Sequence, residues 1–307
     1  MQVESIAAID IGSNAIRLMI NNVEEFEVKK ALKKNAYIRV PVRLGEDVFS
    51  SGRIGPEKTG RLVETMRAFV HLMHVFNVDS YRACATSAMR EAENGGEVVQ
   101  VVREKAGIQI DVVTGPEEAD LIYAAGSLEE VMDRDRGYLH VDVGGGSTEL
   151  VVYYDHKKKD SFSFPIGTLR LLAEAVTPET RARLKKTLKK IYDKYAPLDI
   201  IASGGNINKT LKLLGKKDGD AVDYASVDHF YRTLSSLSIP QRLEKYKMNS
   251  YRADVIVPAL EIFLTIGEAC KIKHFIIPKV GLVDGIIRQL YSGQIRGRTT
   301  PGYDLNL

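Results

Sequence analysis

Asp10-Ile11-Gly12-Ser13-Asn14-Ala15-Ile16-Arg17-Leu18 and Asp142-Val143-Gly144-Gly145-Gly146-Ser147-Thr148-Glu149-Leu150 read as two copies of one turn, 132 residues apart. Each follows an apolar run and opens on Asp, with Gly two positions on and Leu eight on; a second apolar run comes next. An apolar run ending in an acid, a glycine turn and a second apolar run spell a β-hairpin. Glycine allows close approach and positive φ, so the amides of such a turn can point at a phosphate. The Asp at the strand end is then placed to hold a metal ion against it. Two such loops facing each other would grip a phosphate chain from both sides.

At 307 residues the chain exceeds what one core usually serves, which agrees with the repeat in predicting two domains. Its 44% apolar and 27% charged residues form an ordinary soluble composition, and no apolar run reaches the roughly 18 residues of a membrane span. The start has no basic region before a strand pattern, so the expectation is a cytoplasmic protein without a secretory signal. Cys84 and Cys270 sit in dissimilar apolar contexts and read as reduced core thiols. A net charge of +3 is too small to argue for nucleic acid. Local charge says more. Lys29, Lys30, Lys33 and Lys34 cluster, as do Lys157 to Lys159, while Lys185, Lys186, Lys189 and Lys190 place a basic stripe along one helix that a polyanion could use.

Strand patterns dominate the first third, at Val3 to Ile11, Arg17 to Val23, near Phe26 to Ala31, and Ala36 to Leu44. The spacing predicts helices from about Pro56, near Glu97 to Ala106, and from Pro116 to Met132, with strands at Ser80 to Ala85 and Gln109 to Val113. The second half restarts the pattern with strands at Gly137 to Asp142, Thr148 to Tyr154 and about Asp160 to Phe164, then Asp199 to Ala202 and His274 to Ile277. Helical spacing covers Val227 to Leu237 and Arg252 to Cys270, where Pro258 should kink or divide the helix; a last helix begins near Val283. Two α/β halves, each opening on an antiparallel meander, predict a duplicated mixed-sheet architecture.

Seven segments in order carry a resemblance: Asp10-Ile11-Gly12-Ser13-Asn14; Thr86-Ser87-Ala88; Gly115-x-Glu117-Glu118-Ala119; Asp142 to Leu150; Pro165-Ile166-Gly167 with Arg170-Leu171; Ala202-Ser203-Gly204-Gly205; and Arg252-Ala253-Asp254-Val255-Ile256. Together they resemble the exopolyphosphatase and guanosine-pentaphosphate phosphohydrolase family, a branch of the actin-like ATPase superfamily. The resemblance implies a duplicated actin-like (ribonuclease H-like) α/β fold, two lobes with a central cleft. The N-terminal domain spans 1–124 and the C-terminal domain 125–307, with the last helix free to pack back on the first.

The same resemblance implies a phosphoanhydride hydrolase of stringent-response metabolism. Inorganic polyphosphate is the first-choice substrate, guanosine pentaphosphate the alternative. An ATP-dependent kinase or ATPase of the superfamily, and a non-catalytic polyphosphate- or alarmone-binding protein, are the other readings. Its implied cofactor is Mg²⁺ or another divalent cation, its oligomeric form a homodimer, and neither nucleic acid nor membrane is an expected partner. Metal ligands would be Asp142, Glu149 and, from the other loop, Asp10. Phosphate would meet Ser13, Asn14, Arg17, Arg90, Gly144, Gly145, Gly146 and Ser147, and Glu118, preferred over Glu117, would accept the proton of the attacking water. Arg252 is read as structural, holding an acid across the cleft, and Ser203 to Asn206 either touches ligand or frames the cleft. Ala15 stands where a serine is common, and Val283 and Asp284 replace a more usual Arg-Glu, which bears on substrate preference. The six histidines have no HExxH spacing, no Gly-x-Ser-x-Gly elbow is present, and the sequence shows no covalent nucleophile.

Overall fold

A computed structural model describes residues 4–25 and 30–302; Val3, Phe26 and Lys29, which fall in the predicted strands and first lysine cluster, lie outside the described residues. The chain divides into two compact units, Met1–Ala125 with Gly281–Leu307, and Gly126–Val280. In the first, β1 (Glu4–Ile11), β2 (Ile16–Glu25) and β3 (Lys30–Val40) form an antiparallel meander. β4 (Ser80–Ala85) lies parallel to β1, and β5 (Ile110–Val112) parallel to β4.

The second unit repeats this order. β6 (Gly137–Val143), β7 (Thr148–Tyr154) and β8 (Lys157–Phe164) form the meander, with β9 (Leu198–Ser203) parallel to β6. β10 (Ala221–Asp223) runs antiparallel to β11 (His274–Ile276), which is parallel to β9. The order β3-β2-β1-β4-β5 thus matches β8-β7-β6-β9-β11, and a last strand, β12 (Arg298–Thr299), returns antiparallel to β4.

Periodicity explains these strands and also where the sequence reading slipped. β1 is central and buried on both faces, so Ile6 to Ile9 and Ile11 form a continuous apolar run instead of an alternation. The two predicted strands around Ala31 and Ala36 merge into β3, with a bulge opposite Ile20 and Asn21. The predicted extension to Leu44 stops at Val40 before Pro41, and Leu44 opens the helix Leu44–Ser51. Pro258 does divide its segment: Ser250–Ala253 ends before it, and Ile256–Ala269 carries it in the first turn, where its missing N–H breaks no bond. The helix predicted to Met132 ends at Ala124, and a short 3-10 turn, Glu129–Val131, holds the rest of that pattern.

Cys84 and Cys270 are free and buried. Burial pushes their thiols up to about 12 and about 11, so they stay protonated and unreactive.

Candidate functional site

Both hairpins close with the same backbone bond: Gly12 N donates to Ala15 O across 3.2 Å, and Gly144 N to Ser147 O across 3.0 Å. What holds each turn differs. In the first unit Gly45 N donates to Ser13 O (2.9 Å) and Arg43 N to Asn14 O (3.2 Å), while the buried Ser13 and Ser87 hydroxyls share a 2.8 Å bond. In the second unit the Pro165-Ile166-Gly167 segment and the helix after it, Thr168–Leu172, clamp the turn by its carbonyls. Thr168 N donates to Gly144 O (3.1 Å), Leu169 N to Gly145 O (2.8 Å) and Arg170 Nε to Gly146 O (2.8 Å), and Thr148 Oγ1 donates to Ile166 O (2.6 Å).

Gly167 lies so close that a Cβ there would sit 2.5 Å from backbone atoms of Gly145 and Gly146. With the carbonyls fixed on this side, the amides of Gly145, Gly146 and Ser147 donate to no group among the described residues. Three consecutive uncommitted N–H donors in a fixed turn are the physical make-up of an anion nest.

Charge separates the two copies. Asp10 faces Arg17 across β1 and β2, and Arg17 Nη1 donates to Asp10 Oδ2 in a largely buried ion pair. The matching position opposite Asp142 is Glu149, only 1% exposed, and carboxylate oxygens of the two lie within 4.8 Å of one another. Two carboxylates this close repel unless a cation or proton lies between them. Their oxygens are the hard donors that Mg²⁺ prefers, so the residues present fit a divalent ion.

A hydrogen-bonded chain orients one of these acids. Ser203 Oγ donates to Asp142 Oδ1 across 2.5 Å, and His140 Nε2 lies 2.9 Å from the same hydroxyl. His140 is fully buried, and burial pushes it down to about 4, so its ring is neutral. Because the one hydroxyl hydrogen goes to Asp142, Nε2 carries the ring hydrogen and donates to Ser203. The sequence reading gave His140 no role. The signal was its place two residues before Asp142, on the same face of β6.

The Glu-Glu pair opens the helix Gly115–Ala124, and local bonds divide its labour. Glu117 closes a capping box: its Oε2 accepts from Thr114 N (2.7 Å) and Thr114 Oγ1 (2.8 Å), which holds its carboxyl below the usual range. Glu118, the next residue, is half-buried and takes no part in that box. Arg90 Nη1 donates to Val113 O (2.7 Å), tying the helix Ser87–Glu91 to the segment entering the Glu118 helix. A Cβ at Gly285 would fall 1.6 Å from Leu121 O, so glycine lets the helix Leu282–Tyr291 set the position of the Glu118 helix.

The predicted residues therefore fall as Asp10, Ser13, Asn14, Arg17, Arg90 and Glu118 in the first unit, and Asp142, Gly144 to Ser147 and Glu149 in the second. Arg252 donates to Gly205 O within the second unit. Ala15 and Val283 are both buried, at 1% and 3% exposure, so the two departures from the resemblance are core positions.

A duplicated α/β chain whose second hairpin pairs an anion nest with two acids is the build of a phosphoryl-transfer protein. The model of the Ppx/GppA phosphatase family matches residues 27–292, and the chain belongs to that family. Exopolyphosphatase 2 of Mycobacterium tuberculosis (strain ATCC 25618 / H37Rv) is 27% identical over 324 residues, covering 94% of this chain and 99% of the relative. The guanosine-5'-triphosphate,3'-diphosphate pyrophosphatase of Aeromonas salmonicida is 24% identical and covers 95% of this chain, which spans 61% of that protein's length. Among solved structures, the Aquifex aeolicus member of the Ppx/GppA family superposes with a TM-score of 0.74 at 25% identity, over 96% of this chain and 100% of that one.

Proposed function

We propose that this chain is an exopolyphosphatase, releasing terminal orthophosphate from inorganic polyphosphate by metal-assisted attack of water. The observation that carries the reading is the clamped turn at Gly145, Gly146 and Ser147, three free amides beside the Asp142–Glu149 acid pair. The nest donates to oxygens of the terminal phosphoryl group, where charge builds as the anhydride bond breaks. Asp142 and Glu149 would hold a divalent ion, which would supply neutralisation of phosphate charge that otherwise repels an incoming nucleophile. Ser203 and His140 fix the Asp142 carboxylate for that task. Glu118 accepts the proton as the water oxygen bonds to phosphorus, the bridging P–O bond breaks, and the shortened chain leaves as the new terminus.

This requires Glu118 to act on the phosphate that the second hairpin holds. In the first hairpin, Ser13 and Asn14 contact further phosphates; Arg17 acts through its ion pair with Asp10, and Arg90 through donors other than the Nη1 bonded to Val113 O. On this reading Mg²⁺ is the cofactor, the protein works in the cytoplasm, and a homodimer is its form. Guanosine pentaphosphate is the second substrate we retain, because the Aeromonas salmonicida relative is named for that chemistry. Phosphate release from polyphosphate, guanosine pentaphosphate and ATP, each with Mg²⁺ and with chelator, tests the reading. Turnover of ATP alone overturns it, and metal-dependent release from polyphosphate supports it.

A further inference from the structure

Beside the second hairpin runs a basic ridge. The helix Pro178–Tyr195 holds seven Lys and Arg against two acids, more excess charge than the whole chain's +3, so the remainder of the chain is net acidic. Leu184, Leu188 and Ile191 are buried against the core, and all seven cations are exposed. Arg181, Lys185, Lys186 and Lys190, together with Lys159 on the neighbouring edge strand β8, are exposed and form no ion pair among the described residues. A helix that only meets water gains from alternating signs, whereas Arg181/Lys185, Lys185/Lys189 and Lys186/Lys190 are like charges at i,i+4 that repel. A bound polyanion removes that repulsion.

The ridge also has a direction. At its start, Arg183 lies 4.8 Å over the Phe164 ring and donates to Ser163 O, and the Ser163 hydroxyl donates to Glu149. At its far end, Lys194 and Tyr195 meet Asp160, with Lys157 to Lys159 beyond on β8. From Arg181 to Lys190 the helix rises about 14 Å.

We propose that this ridge is an exosite for the distal part of a linear polyphosphate chain, gripping long chains and out of reach of short ones. The inference rests on the functional reading above. A variant carrying K185Q, K186Q, K189Q and K190Q, with K216Q/K217Q as a charge control among exposed lysines elsewhere, tests it. On long-chain polyphosphate the four-lysine variant should lose roughly tenfold or more in kcat/KM, through KM, and its binding should become less salt-dependent by a log–log slope of roughly 3. On tripolyphosphate its kcat/KM should move less than about twofold, and the control variant should match the parent on both. Equal losses on both substrates, no loss on the long chain, or displacement of polyphosphate by duplex DNA at equal phosphate concentration overturns the exosite. If the parent protein cleaves neither substrate, the functional reading fails by itself. Long-chain polyphosphate binding in chelator then decides the ridge: loss in the four-lysine variant upholds it, and unchanged binding overturns it.

Discussion

Glu149 stands directly opposite Asp142 across the β6–β7 ladder, with carboxylate oxygens of the two within 4.8 Å of one another. In the first hairpin the same cross-strand position belongs to Arg17, and there the result is an ion pair. One duplicated backbone thus yields a self-neutralised turn and an acid pair whose donors fit a cation. Glu149→Gln keeps the shape and removes half of that pair. Mg²⁺ at about a hundred times its Kd should stabilise the parent by about 2.7 kcal/mol. The variant should show none of this in a thermal melt, and a matching metal-dependent rise would remove Glu149 from the ligand set.

Ser203→Ala cuts the bond to Asp142 and strands the His140 ring hydrogen in a fully buried place. Groups that orient a metal-binding carboxylate typically contribute 10- to 100-fold in affinity. Mn²⁺ titration followed by its paramagnetic resonance signal should show a loss in that range; unchanged affinity would make the chain structural only.

Glu117 and Glu118 separate by the measurement they move. Glu117→Ala removes the capping box, a loss of about 1 kcal/mol in stability with kcat nearly unchanged. Glu118→Gln should leave the melt in place and lower kcat by roughly 10²- to 10⁴-fold. Full activity in Glu118→Gln would move the general base elsewhere.

Gly285→Ala puts a methyl group against the Leu121 carbonyl, and the helix carrying Glu118 must shift to admit it. Overpacking of this kind costs about 1–3 kcal/mol. Both the melting temperature and kcat should fall. A loss of stability with full kcat would show that the Glu118 helix holds its place without Gly285.

Asp111 links the C-terminal strand β12 to the first sheet through Arg298 and Arg82. Burial pushes its carboxyl up, but hydrogen bonds from Arg298 and Arg82 outweigh that and hold it below its ordinary 3.8. A depressed folded-state value stabilises above the unfolded one, and that stability is lost as pH falls from near 3.8 through the lower folded value. Asp111→Asn should therefore flatten acid unfolding below about pH 4 and lower stability at neutral pH. An unchanged acid limb would place the sensitivity in other carboxylates.

Local chemistry made much of this legible. Apolar runs, turn glycines and proline positions gave the hairpins, the repeat, the helix break before Pro258 and the Glu-Glu segment. The capping box went unread, although Thr114 and Glu117 hold the required spacing. Strands β10 and β12 were not legible, because Ala221–Asp223 and Arg298–Thr299 lie in no apolar run, and their pairing comes from distant chain.

The sequence by itself determined that two acidic glycine hairpins exist and which residue types they present. Turn geometry and strand period depend on neighbours a few positions away. Tertiary structure alone decided that Arg17 closes on Asp10, that Ser203 and His140 orient Asp142, that the Gly167 segment turns three carbonyls aside and frees three amides, and that Gly285 sets the Glu118 helix. Each of these is a contact of a few ångströms between residues brought side by side by strand pairing and helix packing, and free energy at that range depends on the packed geometry, which no local pattern encodes.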